Sequence, residues 1–189
     1  YFSALEWHAV AIGSIAAARA LARDPSPTEP RAKARNSPGS PSYMQGDHAA
    51  AGTAWQESLD IQRSLGNRRA EAGALNNLGL VAERQGDLAA ARRLYAEALA
   101  VNKSLDNRPW QAININNLAN IAALQGDFDA AAAGFRDALR LNRELGNRAE
   151  EAKNLGNLGN VARDRADFPV ARAYYADALK LKRELGDRR

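Results

Sequence analysis

Three asparagines, Asn77, Asn117 and Asn157, stand forty residues apart, and Asn76 and Asn116 flank two of them. A primary amide offers two N–H donors and a carbonyl acceptor. That chemistry suits gripping the backbone of an extended peptide, whatever its side chains. Asparagine is a mediocre helix former, so propensity does not explain the spacing. The same amides would also serve to hydrogen-bond neighbouring helices, and the residues alone leave both readings open. Other chemistry is sparse. The chain has no cysteine, which excludes a disulfide framework, a thiolate metal site and a cysteine nucleophile. His8 and His48 are its two histidines, too few for a multi-histidine metal site. No GxxxxGK[ST], HExxH, GxSxG or GxGxxG occurs. Asp87 is better placed as a helix cap than as a general acid, and Glu150-Glu151 as first-turn charge. Asn102-Lys103-Ser104 is formally a glycosylation sequon, but it falls inside a predicted helix. No catalytic constellation results, so the expectation is a non-enzymatic protein with no cofactor and no metal.

The elements that must position the asparagines follow from a repeat. Gly-Asp occurs at Gly46-Asp47, Gly86-Asp87 and Gly126-Asp127, with Ala166-Asp167 as a relic, always forty residues apart. A second marker is offset by twenty: Gly66-Asn67-Arg68, Asp106-Asn107-Arg108, Gly146-Asn147-Arg148 and Gly186-Asp187-Arg188. The expected units are 29–68, 69–108, 109–148 and 149–189, after an N-terminal segment 1–28. A fixed period of this length is the signature of a solenoid.

Each unit is predicted to be two helices, about 69–84 and 88–105 in the second unit. Ala72, Leu75, Leu78, Gly79 and Ala82 form one apolar stripe; Ala91, Leu94, Tyr95, Ala98 and Leu99 form the other. Asp87, Asp127 and Asp167 are expected N-caps, with Pro169 in a first turn. Gly66 and Gly146 close helices that Asn67 and Asn147 follow, and Asn147 with Glu150 fits a capping box. Small residues recur at Gly79, Ala119 and Gly159 and at Ala91, Ala131 and Ala171, where two helices of a unit are expected to cross. A ring recurs at Trp55, Tyr95, Phe135 and Tyr175. Period-two alternation is absent, so the fold class is all-α. Opposite the apolar stripe of the first helices lie Gly73, Asn77, Leu80 and Arg84, then Ile113, Asn117, Asn120 and Leu124, then Lys153, Asn157, Asn160 and Asp164.

The stretch NNLGLVAERQGDLAAARRLYAEAL resembles a tetratricopeptide repeat: the Leu-Gly pair, the Gly-Asp turn, the small residue, the aromatic and the closing Ala-Leu stand at that family's spacings. The resemblance covers 69–189 and, in part, 29–68. The forty-residue period with LGNR or LGDR linkers is similar to the longer class found in kinesin light chains, Pins-type adaptors and bacterial signalling ATPases and regulators. It implies a right-handed α-solenoid of antiparallel helix pairs whose first helices line a concave groove that binds peptides. The asparagines would hold ligand backbone and Leu80, Ile113 and Leu124 would take side chains. Arg84 and Lys153 would add charge selection, with Asn120 and Asn160 beside them. The competing expectation is a structural arm that packs on a neighbouring ATPase, cyclase or DNA-binding domain of a larger bacterial signalling protein.

The first unit keeps the register but carries Pro38 and Pro41 where Leu78 and Val81 stand, so its helix over 31–45 is expected to be broken. Ser26-Pro27, Ser37-Pro38, Ser40-Pro41 and the Pro27–Pro30 PxxP lie in or beside a predicted linker. Residues 1–23 are predicted helical, a worn earlier repeat with Trp7 in its core. The net charge is 26 − 22 = +4 over 189 residues, but acids and bases are interleaved, which disfavours a nucleic-acid interface. No apolar run approaches the roughly 20 residues that span a bilayer. The chain opens on Tyr1 and is expected to be a cytoplasmic piece of a larger protein. Apolar surface around Leu179 and Leu181 is expected to drive end-to-end self-association, or to require a longer array.

Overall fold

The computed structural model describes Tyr43 and residues 45–186. Expectations for the 1–28 segment with Trp7 and His8, for the Ser-Pro and PxxP pairs, and for Pro38 and Pro41 lie outside these residues. Seven α-helices follow one another: α1 (His48–Ser64), α2 (Arg68–Arg84), α3 (Leu88–Ser104), α4 (Arg108–Leu124), α5 (Phe128–Glu144), α6 (Arg148–Asp164) and α7 (Phe168–Glu184). Among the described residues there is no strand. The forty-residue period has a simple origin. Each helix is 17 residues and each turn between helices is 3, as at 85–87, so a pair repeats every 2 × (17 + 3).

The turn works because three positions have separate tasks. Gly86 is left-handed, φ +81°, and its N–H donates to Glu83 O at 3.0 Å. Asp87 N–H donates to Ala82 O at 2.9 Å, which closes α2 in a Schellman motif. The Asp87 carboxylate then accepts from Ala90 N–H at 2.9 Å and opens α3. Asp47, Asp127, Asp167, Asn67 and Asn147 cap their helices in the same way. Asn107 does not: its amide donates to Asn102 Oδ1 at 3.1 Å instead. The expected capping box at Asn147 is only half made. Asn147 N–H is already bonded to Asn142 O, and Lys153 claims the Glu150 carboxylate.

Two turns put a Cβ where glycine belongs, at Asp106 (φ +48°) and Ala166 (φ +61°). Left-handed alanine costs about 1–2 kcal/mol, partly offset by the entropy that a glycine loses on folding. Ala166→Gly should therefore stabilise the chain by about 0.5–1 kcal/mol. Asp106→Gly should gain less, because aspartate tolerates this region. Denaturant midpoints of the two variants give the comparison.

The chain divides into two compact units, Tyr1–Leu94 and Tyr95–Arg189. In the first, Ala51, Trp55 and Val81 form a core on which Tyr43 and Leu78 pack. Glu71 is buried between α1 and α2, where Arg63 (3.1 Å) and Arg68 (2.6 Å) both pair with it. In the second unit, α4, α5, α6 and α7 contribute Ala119, Ala131, Phe135, Leu139, Leu155, Leu158, Val161 and Ala178 to one core. Ala131 is fully buried there, as its spacing predicts. A tight helix approach falls at Gly134, which the repeat pattern did not single out. A Cβ at Gly134 would meet Ala119 Cβ at 2.8 Å. Gly159 is covered by the Tyr175 ring in the same manner, 2.6 Å from a built Cβ.

Ordinarily, Gly→Ala in a helix interior gains roughly 0.5–1 kcal/mol. At Gly134 the clash should reverse that sign, so Gly134→Ala should cost about 1–3 kcal/mol in urea denaturation. Ala119→Gly in the same molecule should recover part of the loss.

Candidate peptide-binding face

The asparagines do two different jobs, and the difference is set by helix face. One set is buried. Asn102 on α3 donates to Asn114 Oδ1 on α4 at 2.8 Å, and Asn142 on α5 donates to Asn154 Oδ1 on α6 at 2.8 Å. Asn154 in turn donates to Asn116 Oδ1 at 3.0 Å, and so does Asn157 at 3.0 Å. One amide chain thus ties α5 to α6 and α6 to α4. The burial of Asn102, 1% exposed, also leaves its sequon without an accessible amide in the folded chain. These buried residues were missed in the sequence. Their signal was present: Asn102 and Asn142, and Asn114 and Asn154, also stand forty apart.

The ten candidate residues are placed as follows. On α2, Asn77 is buried, 6% exposed, and Leu80 is half-buried. Arg84 is exposed and donates from Nε to the Tyr43 hydroxyl at 3.3 Å. On α4, Ile113, Asn117 and Asn120 are half-buried and Leu124 is 60% exposed. On α6, Lys153 is exposed and paired with Glu150. Asn157 is half-buried on its bond to Asn116, and Asn160 is exposed and accepts from the Tyr175 hydroxyl at 2.8 Å. The structure brings the α4 and α6 residues to neighbouring helices through Asn116. The α2 residues belong to the other unit.

Residues seven apart lie within about 20° on a helix wheel. Trp110, Asn117 and Leu124 therefore share one stripe of α4, and Trp110 is 38% exposed. Trp110 was not among the sequence candidates, although the seven-residue spacing from Asn117 was readable. The one charged residue of α4 is Arg108, which pairs with Glu144, so this stripe is uncharged. The hydrogen bonds from Arg108 and then Arg140 hold the Glu144 carboxyl below its usual range. A hydrogen bond to Asp164 holds Arg163 more firmly protonated. Among the described residues, no three His, Cys, Asp or Glu side chains are grouped to hold a metal ion. None of their helices is long and apolar enough to cross a membrane.

An all-α array of capped helix pairs at a forty-residue period defines a helical-repeat protein. The chain belongs to the tetratricopeptide-repeat family, whose model matches residues 42–104 and 110–184. No curated protein matches it. Among solved structures, BtubC (BKLC) from P. vanneervenii is similar, with 22% identity, TM-score 0.76, 88% of this chain and 68% of that one. The apo form of RapI shares 14% identity at TM-score 0.76, over 83% of this chain and 57% of that one. The kinesin light chain nearly identical TPR-like repeats of Podosopora anserina share 11% identity at TM-score 0.69, over 85% and 79%. These likenesses show the fold. Repeats of this family are generally non-enzymatic scaffolds that bind proteins or peptides.

Asn116 accepts two amide bonds, one of them from Asn154, which is 1% exposed. Removing the acceptor strands a buried donor, at about 1–3 kcal/mol. Asn116→Ala should therefore lower the denaturation midpoint more than Asn157→Ala, which removes one donor from a half-buried position.

Proposed function

We propose that the chain is a non-enzymatic, cytoplasmic scaffold that holds an extended protein segment against first-type helices, α4 and α6 in the second unit. The repeats would be 29–68, 69–108, 109–148 and 149–189, following the 1–28 segment. The observation that carries this reading is the uncharged stripe Trp110–Asn117–Leu124 of α4, with Trp110 and Leu124 exposed, on the helix whose Asn116 bonds Asn157 of α6. Exposed tryptophan on a rigid face is the residue type that most often anchors an interface. Asn116 fixes one of the two Asn157 N–H groups, which would leave the other N–H and the carbonyl for the ligand. Ile113 and Leu124 would take apolar side chains, with Asn120 at their edge. Lys153 and Asn160 of α6 would border the same face. Leu80 and Arg84 would form the corresponding surface of α2, whose Asn77 is buried. Interleaved charge and the absence of a basic stripe argue against nucleic acid as the partner, and no membrane partner is invoked.

Peptides selected on the chain by display from a random library provide the test, with affinities measured by calorimetry. Trp110→Ala should weaken the selected peptides by about tenfold or more. Asn117→Ala and Asn157→Ala should each weaken them about threefold to tenfold. Peptides indifferent to all three substitutions would remove the reading. One observation favours the alternative, a structural arm against a neighbouring ATPase, cyclase or DNA-binding domain of the parent protein. Asn157 already spends one of its two N–H donors between helices, so a triple Asn77, Asn117 and Asn157 to Ala variant that loses stability while keeping peptide affinity would support the arm.

A further inference from the structure

Each unit holds a notch where two second-type helices flank a first-type helix, and the notch stands at the same place in both. In the first unit α1, α2 and Leu94 of α3 line it, with Leu78, Val81 and Ala82 as its floor and the exposed Gln56 and Gln85 at its rim. In the second unit, eighty residues on, α5, α6 and Tyr174 of α7 line it, with Leu158, Val161 and Ala162 as its floor and the exposed Arg136 and Arg165 at its rim. The floors match residue for residue. The rims do not: two neutral amides stand in one and two guanidinium groups in the other. No Lys or Arg lines the first notch, and Glu57 does. Asp167 is the one carboxylate lining the second, and it accepts from Val170 N–H at 3.3 Å. Arg136 has no ion pair among the described residues. Arg165 pairs with Asp129 at 2.7 Å, but the Asp129 side chain is 85% exposed, and such a pair contributes little in water. The second notch encloses about 150 Å³. That is well below the roughly 300–1,000 Å³ of small-molecule sites, so it has room for a single side chain. Val170, 42% exposed, carries the apolar wall out to the surface.

We propose that the second notch docks an acidic protein segment: one leucine-sized side chain enters over Leu158 and Val161, and carboxylates beside it in sequence pair with Arg136 and Arg165. Charge complementarity selects this occupant. The apolar floor is common to both notches and rewards any aliphatic side chain by removing it from water. The cationic rim belongs to the second notch alone and adds charge-assisted bonds to a carboxylate. Arg136 is free to make one, and Arg165 gives up little in leaving Asp129. A nucleic-acid backbone fits worse, because Asp129 and Asp167 stand beside the two cations and the floor offers phosphate nothing. On α6, Leu158 is turned about 100° around the helix from Asn157. The notch therefore lies on another face than the asparagine, and the proposal stands apart from the peptide-binding reading.

The probe is a short synthetic peptide, acetylated and amidated, in which one leucine stands between two glutamates and every other position is glycine or serine. It is titrated into the isotope-labelled 189-residue chain and followed by amide chemical shifts. Saturable shifts are expected at Leu158, Val161 and Val170, and none from the same peptide with serine in place of leucine. Arg136→Gln with Arg165→Gln gives the second notch the rim of the first and should weaken binding by about tenfold. Both side chains are exposed, so the far-UV spectrum should not change. A peptide with lysines in place of the glutamates should bind the Arg136→Glu, Arg165→Glu variant and not the unaltered chain. Absent saturation, or affinity indifferent to the loss of both arginines, overturns the proposal. Shifts centred on Trp110, Asn117 and Leu124 also overturn it and assign the peptide to the α4 stripe. Binding confined to a peptide that ends in leucine with a free carboxylate overturns it too, and makes a chain terminus the occupant.

Discussion

A buried primary amide must fill both its ends or lose about 1–3 kcal/mol at each, and in the second unit that demand centres on Asn154. It accepts from Asn142 and donates to Asn116, so one side chain engages α5 and α4 at once. Apolar contact among the leucines and alanines around it is non-directional. The amide bonds are directional: moving α6 by one residue swings that side chain about 100° around the helix and breaks both bonds. Dispersion and apolar burial make the helices adhere, while the amide chain fixes which residue meets which.

The first unit shows what happens when the lock is incomplete. Gln62 occupies the place of Asn102 and Asn142, but the residue twelve further on is Ala74 rather than asparagine. Gln62 is fully buried, and neither its Nε2 nor its Oε1 has a partner among the described residues. Register there depends on other groups. Trp55 fills the space between α1 and α2, and Glu71 is held by two guanidinium groups, one on each carboxylate oxygen. A carboxylate so placed tolerates burial only while both partners remain, so α1 and α2 are joined by charge where α5 and α6 are joined by amides.

Period and turns were legible in the sequence because each position has one physical task. A left-handed residue and an N-cap acceptor leave little choice, and even the departures at Asp106 and Ala166 kept their conformation. The face of each asparagine was less legible. A wheel with one apolar stripe treats every asparagine off that stripe as solvent-facing. A first-type helix is instead covered on more than one side, so polar residues such as Asn114 and Asn154 are buried at contacts that the hydrophobic pattern does not mark. Asn77, assigned to the open side, is buried for the same reason. Trp110 carries no amide, so the asparagine spacing does not mark it, although it is the largest exposed apolar side chain on α4.

Because register is held by buried amides, caps and turns, the outer stripes of the first-type helices are free to differ. At positions seven apart, α2 has Ala70, Asn77 and Arg84, α4 has Trp110, Asn117 and Leu124, and α6 has Glu150, Asn157 and Asp164. The central asparagine is constant, and the ends change from small and basic to apolar to acidic. Helix geometry alone requires none of these end residues: each helix is 17 residues long and ends in the same three-residue turn. The constant amide belongs to the problem of stacking repeats. The variable ends are set neither by the turns nor by the amide chain.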